Sequence, residues 1–190
     1  FGWQEYAISD GKGILNATII PEGSSLTAPL SVFGITGLTA YFGLLDVGQL
    51  KEGETVLVSG AAGSTGSIAA QIAKLKGCRV IGVAGGTEKC RWLTEVAKID
   101  AAIDYKAANL AEVIPELIPE GIDVIFDNVG GEFLDTALLN INQSARIAVC
   151  GAISGYNNET PSPGPSNYTS LIIQRARMEG FIVLDYMNKF

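Results

Sequence analysis

Hydrophobic and polar positions change rhythm at residue 55. From there, short apolar runs rich in β-branched residues alternate with segments whose apolar positions recur at helical spacing. The pattern predicts strands over residues 55–59, 79–84, 101–103, 123–127 and 145–149, and helices over 66–76, 88–97, 110–117 and 132–139. A last helix over 169–178 and a strand over 181–184 bring the strands to six. Almost none of these strands alternates with polar residues, as a parallel sheet covered on both faces requires. The fold expected is therefore α/β, a doubly wound parallel sheet of six strands with helices on both faces and a ligand crevice at the strand carboxyl ends.

Upstream of the sheet, residues 31–50 are apolar around most of a helix circumference and read as a buried helix, weakened by its glycines. The first 29 residues differ. The alternation from Gln4 to Ile8 suggests a strand and Asp10-Gly11-Lys12-Gly13 a turn, but no core of their own is visible. They read as the tail of another domain, so the chain divides into residues 1–30 and 31–190, and the stop soon after the sixth strand suggests an excised domain. Residues 157–167, rich in proline, form a loop after the fifth strand.

The stretch from Thr55 to Gly77 organises the rest. A strand stops at Gly60-Ala61-Ala62-Gly63-Ser64-Thr65-Gly66, and a helix with Ile68, Ile72 and Leu75 on one face follows at once. Glycines at this spacing let the backbone turn sharply, approach a pyrophosphate and pack the helix on the strand. Tight packing alone would use the same residues, and Ala61 stands where the usual first glycine falls. The second strand pattern after Gly77 supplies the strand-helix-strand context that the dinucleotide fingerprint needs.

Further candidates lie at strand carboxyl ends. The second strand closes on Ala84-Gly85-Gly86 with no carboxylate for a ribose 2′-hydroxyl, while Lys89 and Arg91 follow. A cation beside an open glycine turn suits a 2′-phosphate, hence NADP(H) over NAD(H); a solvated helix lysine is the plain alternative. Tyr105, after the third strand, either caps core packing or lines the ribose-phosphate side. Asn128 in Asp127-Asn-Val-Gly-Gly131 offers a donor and an acceptor, or is a turn residue. In Cys150-Gly-Ala-Ile-Ser-Gly-Tyr156, Tyr156 is either a hydroxyl donor to a developing enolate or a surface tyrosine, and Cys150 is a buried filler rather than a nucleophile.

Composition narrows the field. A net charge of −7, without a Lys or Arg run, argues against nucleic acid or an anionic membrane surface. Histidine is absent, which removes His triads and His metal sites from this chain. The cysteines, Cys78, Cys90 and Cys150, show neither zinc-ligand spacing nor a disulfide framework. No apolar run of membrane-spanning length and no leader pattern is present, so a soluble, cytoplasmic protein is expected.

Taken together, Gly37-Leu-Thr-Ala-Tyr-Phe-Gly-Leu-Leu, Ala61-Ala-Gly-Ser-Thr-Gly-Ser, Gln71-Ile-Ala-Lys-Leu-Lys-Gly-Cys, Glu88-Lys-Cys, Asp104-Tyr-Lys, Phe126-Asp-Asn-Val-Gly-Gly, Cys150-Gly-Ala-Ile-Ser-Gly-Tyr-Asn and Arg177-Met-Glu-Gly-Phe resemble the zinc-independent branch of the medium-chain dehydrogenase/reductases. Within it they are similar to the NADPH-dependent alkenal, prostaglandin and curcumin double-bond reductases. The resemblance implies a Rossmann cofactor domain with an N-terminal remnant of a GroES-like catalytic domain. It implies that Ala62, Gly63, Ser64, Thr65 and Gly66 hold the pyrophosphate, Lys89 the 2′-phosphate, and Tyr105 and Asn128 the adenosine and linker side. Thr39 and Cys150, Gly151, Ala152, Ile153, Ser154, Gly155 and Tyr156 would face the nicotinamide end, with Tyr156 beside the nicotinamide ribose and the substrate oxygen. Phe181, Ile182 and Val183 would meet the carboxamide through backbone. The activity implied is hydride transfer from NADPH to the β-carbon of an α,β-unsaturated ketone or aldehyde, without a metal, in a homodimer. Quinone reduction and a non-catalytic NADPH-binding module are the rival readings. The fragment alone is expected to bind cofactor weakly and turn over poorly.

Overall fold

A computed structural model describes residues 5–8, 10, 22–25, 27–160 and 162–189. Six strands, β1 (Thr55–Ser59), β2 (Arg79–Ala84), β3 (Ala101–Asp104), β4 (Ile122–Asp127), β5 (Ile141–Val149) and β6 (Arg177–Gly180), form one sheet in the order β3-β2-β1-β4-β5-β6. All five pairings are parallel. The chain winds outward from β1 through β2 to β3, then returns to the other side of β1 at β4. The order therefore reverses between β1 and β4, and a crevice opens outside their carboxyl ends.

Successive side chains of a strand point to opposite faces, and each face here has its own cover. Val56 and Val58 of β1 face α1 (Ile35–Phe42), α2 (Ser64–Leu75) and α3 (Thr87–Glu95) through Ala40, Ala69, Ala73 and Leu93. Leu57, between them, faces α4 (Leu110–Leu117) and α5 (Gly131–Leu138) through Ile114, Phe133 and Leu138. Every residue of β1 is buried, which is why its sequence carries no polar alternation. Each of the fully buried aliphatic side chains contributes about 1.5–3 kcal/mol relative to exposure.

The buried helix expected over 31–50 is shorter and changes pitch. After α1 the chain continues as a π-helical turn, Gly43–Val47. A Cβ on Gly43 would lie 2.5 Å from Phe181 Cζ and 2.6 Å from Phe126 Cε2, so two aromatic rings occupy the space that a side chain would need. Arg146 of β5 ties this turn to the sheet, donating from Nε to the Gly48 carbonyl at 2.8 Å and pairing with Glu54 at 2.5 Å.

The sixth strand is not where hydropathy predicts it. α6 (Ser170–Gln174) is stopped by Arg175 in the left-handed conformation, φ +49°, and Ala176 N–H closes back on the Leu171 carbonyl at 2.9 Å. β6 then pairs residues 177–180 with β5, from Arg146 beside Arg177 to Val149 beside Gly180. Residues 181–184, read as the strand, instead leave the sheet and enter a 3₁₀ helix, Val183–Lys189, where Tyr186 stacks on Phe42 at 4.2 Å. An edge strand with exposed polar side chains has no hydrophobic signature, whereas an apolar run packed on a helix imitates one. β5 also begins earlier than expected, at Ile141, with Ser144 at φ +62° beside a register shift against β4.

Of the N-terminal strand expected over residues 4–8, the described residues 5–8 are exposed and extend no sheet; Gln4 and most of the 10–13 turn lie outside the described residues. A strand without a neighbour has no acceptor for its ladder.

Candidate functional site

The turn after β1 is built by glycine. Gly60 adopts φ +57°, Gly63 is the N-cap of α2, and Gly66 sits in the helix's first turn. A Cβ on Gly66 would stand 2.3 Å from the Gly60 carbonyl oxygen, so helix and turn touch backbone to backbone. The N–H groups of that first turn have no intrahelical acceptors and point, with the positive end of the helix dipole, into the crevice.

Across the reversal point, a polar knot joins β1 to β4. Asp127 is fully buried, and its Oδ1 accepts from Ser59 Oγ at 2.7 Å, Val129 N–H at 2.9 Å and Gly130 N–H at 3.1 Å. Ser59 Oγ in turn accepts the Asn128 N–H at 2.7 Å, and Asn128 Nδ2 donates to the Ser59 carbonyl at 2.7 Å. Both strand ends are thereby held at a set separation.

The loop after β5 is laced to the loop after β4. Cys150 and Gly151 N–H both donate to the Asp127 carbonyl, at 2.8 and 3.1 Å, and Ile153 N–H to that of Asn128 at 3.2 Å. Ser154 donates to the Val129 carbonyl from Oγ at 2.6 Å. Burial, and then the Asp127 charge, push the Cys150 thiol up to about 11, so it stays protonated at neutral pH and is no nucleophile.

These loops enclose a cleft of about 720 Å³. Of the residues expected at the site, Ala62, Gly63, Lys89, Tyr105, Ile153 and Ser154 line it. Ser64 lines a smaller recess of about 320 Å³ that shares Lys89 with the main cleft and also holds Glu88 and Trp92. Thr65 and Gly66 lie in the adjoining helical turn, and Asn128 stands at the end of β4 with its amide committed to Ser59. Cys150, Gly151, Ala152, Gly155 and Tyr156 lie on the β5 loop, outside the cleft wall. The Tyr156 hydroxyl accepts the Ala152 N–H at 3.1 Å, which leaves its proton free to donate outward. Thr39 is half-buried on α1 and donates to the Ile35 carbonyl at 2.7 Å. Phe181, Ile182 and Val183 follow β6: the Phe181 ring meets that of Phe126 edge-on at 6.5 Å, Ile182 is exposed and Val183 is buried.

Sequence reasoning missed the apolar end of the cleft, formed by Val83, Leu110, Val129 and Phe133, and the Ser59–Asp127 pair. Asp127 had a signal, since a carboxylate closing an otherwise apolar strand must find donors. The apolar lining had none, because core and cleft walls use the same residues. Among the described residues, no three His, Cys, Asp or Glu side chains converge in a way that could hold a metal. The glycine turn, the free helix donors and the flanking lysine fit a phosphorylated dinucleotide.

Comparison with known proteins agrees. Residues 64–190 match the zinc-binding dehydrogenase family. The chain belongs to that family. It is 47% identical over 193 residues to the NADPH-dependent curcumin reductase of Escherichia coli (strain K12), an alignment that takes in 99% of this chain and 55% of that protein. It is 48% identical over 190 residues to prostaglandin reductase 1 of Rattus norvegicus, across 99% of this chain and 57% of the relative. Among solved structures, CurA from Vibrio vulnificus in complex with NADPH matches with a TM-score of 0.86 and 44% identity, over 99% of this chain and 58% of that one. The chain thus spans a little over half the length of the relatives it matches. The branch read from its motifs, that of the alkenal, prostaglandin and curcumin reductases, is borne out.

Proposed function

We propose that the protein is an NADPH-dependent reductase of the C=C bond of α,β-unsaturated ketones and aldehydes, and that this chain carries its cofactor-binding part. One observation carries the reading. The cleft lies over the carboxyl ends of β1, β2 and β4, and β2 closes on Gly85-Gly86, with no carboxylate in the place of a 2′-hydroxyl acceptor and with Lys89 beside it, as in a cofactor site for NADPH, the cofactor named for a relative 47% identical. Bound there, NADPH supplies a hydride for the β-carbon of the substrate. Residues 62–66 hold the pyrophosphate with first-turn N–H groups, Lys89 faces the 2′-phosphate, and Tyr105 and Asn128 take the adenosine and linker side. Thr39, the loop from Cys150 to Tyr156, and the backbone of Phe181, Ile182 and Val183 take the nicotinamide end. Tyr156 donates its free hydroxyl proton towards the carbonyl oxygen, where the electron pair displaced from the C=C bond collects.

The same proposal takes residues 1–30 as part of a catalytic domain and residues 31–190 as the cofactor domain. It makes the protein cytoplasmic and a homodimer joined along β6, an edge strand whose Arg177, Glu179 and Gly180 are exposed. No helix among the described residues is long and apolar enough to cross a membrane.

The test is NADPH oxidation by the full-length protein with a series of enones and enals and with a simple quinone. Turnover of enones that falls about a hundredfold in Tyr156→Phe, with NADP⁺ affinity kept within about twofold, is the expected result. Turnover of the quinone alone would overturn it.

A further inference from the structure

The parallel register of β2 and β3 sets Ala84 beside Asp104. The next residues of each strand, Gly85-Gly86 and Tyr105-Lys106, therefore meet at the β2 corner of the cleft. Three bonds hold them together. Tyr105 N–H donates to the Ala84 carbonyl at 3.1 Å, while Asp104 Oδ1 accepts Gly86 N–H at 2.8 Å and Lys106 N–H at 3.1 Å. A Cβ on Gly85 would stand 2.8 Å from Tyr105 Cε1 and 3.0 Å from Lys106 Cε. The Lys106 stem thus lies across Gly85, with its ammonium one bond further on, and among the described residues it makes no ion pair.

Resting on the NADPH reading, we infer that Lys106 is a second cation of the 2′-phosphate subsite and joins Lys89 around the Gly85–Gly86 turn. The carboxyl end of β2 is where a doubly wound sheet holds the adenosine ribose. The acid that would take a 2′-hydroxyl there is replaced by two glycines, and the one carboxylate at the corner, Asp104, commits Oδ1 to backbone N–H groups. A dianionic 2′-phosphate in a protein of net charge −7 gains most from cations fixed beside it, and Asp104 fixes the backbone that carries Lys106. Lys106 therefore sets cofactor choice, because NAD⁺ presents no charge at that position.

Calorimetric titration of the full-length protein with NADP⁺, NAD⁺ and adenosine 2′,5′-bisphosphate tests this, using Lys106→Met to keep the stem over Gly85 and Lys106→Arg to restore the charge. Lys106→Met is expected to weaken NADP⁺ and the bisphosphate about tenfold, the effect of one charge-assisted hydrogen bond, and to leave NAD⁺ within about twofold. Lys106→Arg recovers most of the loss. A wild-type preference for NADP⁺ that survives Lys106→Met unchanged would overturn the inference alone. A wild-type protein that shows no preference would overturn the NADPH reading and the inference with it.

Discussion

Replacing Asp127 with alanine tests whether the β1–β4 knot holds the site together. The carboxylate is fully buried and serves three donors, Ser59 Oγ, Val129 N–H and Gly130 N–H. Ser59 and Gly130 are themselves buried, so in Asp127→Ala neither donor reaches water easily, whereas half-buried Val129 can. Two stranded buried donors, at about 1.5–3 kcal/mol for each bond to a charged acceptor, give a loss of about 3–6 kcal/mol. Relief of the buried charge reduces this and water entry reduces it further, so the lower end is expected. Against a total stability of about 5–15 kcal/mol, that is a large share. In urea the midpoint should fall by about 1–2 M with the slope unchanged. Asp127→Asn keeps an oxygen in the Oδ1 position and should lose less than half as much. A double-mutant cycle with Ser59→Ala should show a coupling of about 1 kcal/mol or more, since the two share a bond. An alanine variant within about 1 kcal/mol of wild type, or an asparagine variant as unstable as alanine, would refute the account.

Two further outcomes follow from the same geometry. Gly66→Ala places a Cβ 2.3 Å from the Gly60 oxygen and 3.0 Å from Ala61 Cα, all rigid backbone, so α2 must retreat from the turn. A loss of about 1–3 kcal/mol in urea unfolding and a more than tenfold weakening of NADP⁺ are expected, and a variant that binds like wild type would show that the turn does not hold the cofactor. Burial, and then Asp127, raise the Cys150 thiol from 9.0 to about 11, which favours its neutral form in the folded state. Its contribution to stability is therefore complete below pH 9 and is lost as pH rises towards about 11. Urea midpoints measured across that range should fall less steeply in Cys150→Ala, and identical slopes would disprove the assignment.

Much of this molecule is determined locally. A run such as Thr55–Ser59 followed by glycines and an amphipathic helix has few ways to bury its apolar atoms, and the glycine spacing already states how closely helix and strand approach. That is why the first five strands, the glycine turn and the branch of the family were legible from residue order. Lys89 and Tyr105, both of which line the cleft, were legible as candidates too, since Tyr105 directly follows β3 and Lys89 stands in the first turn of the helix that follows β2. What the tertiary structure decided depends on neighbours distant in sequence. β6 is a strand because β5 offers it a ladder, although its residues are polar, and residues 181–184 are none because the Phe42 and Phe126 rings draw Tyr186 and Phe181 off the sheet. Likewise Lys106 reaches Gly85 only through the register of β2 on β3, and Ser59 finds Asp127 only because β4 returns to the far side of β1. Hydrophobic periodicity reports which side of an element is buried; it carries no record of which backbone lies alongside, and that pairing sets both the sheet edge and the polar side of the cleft.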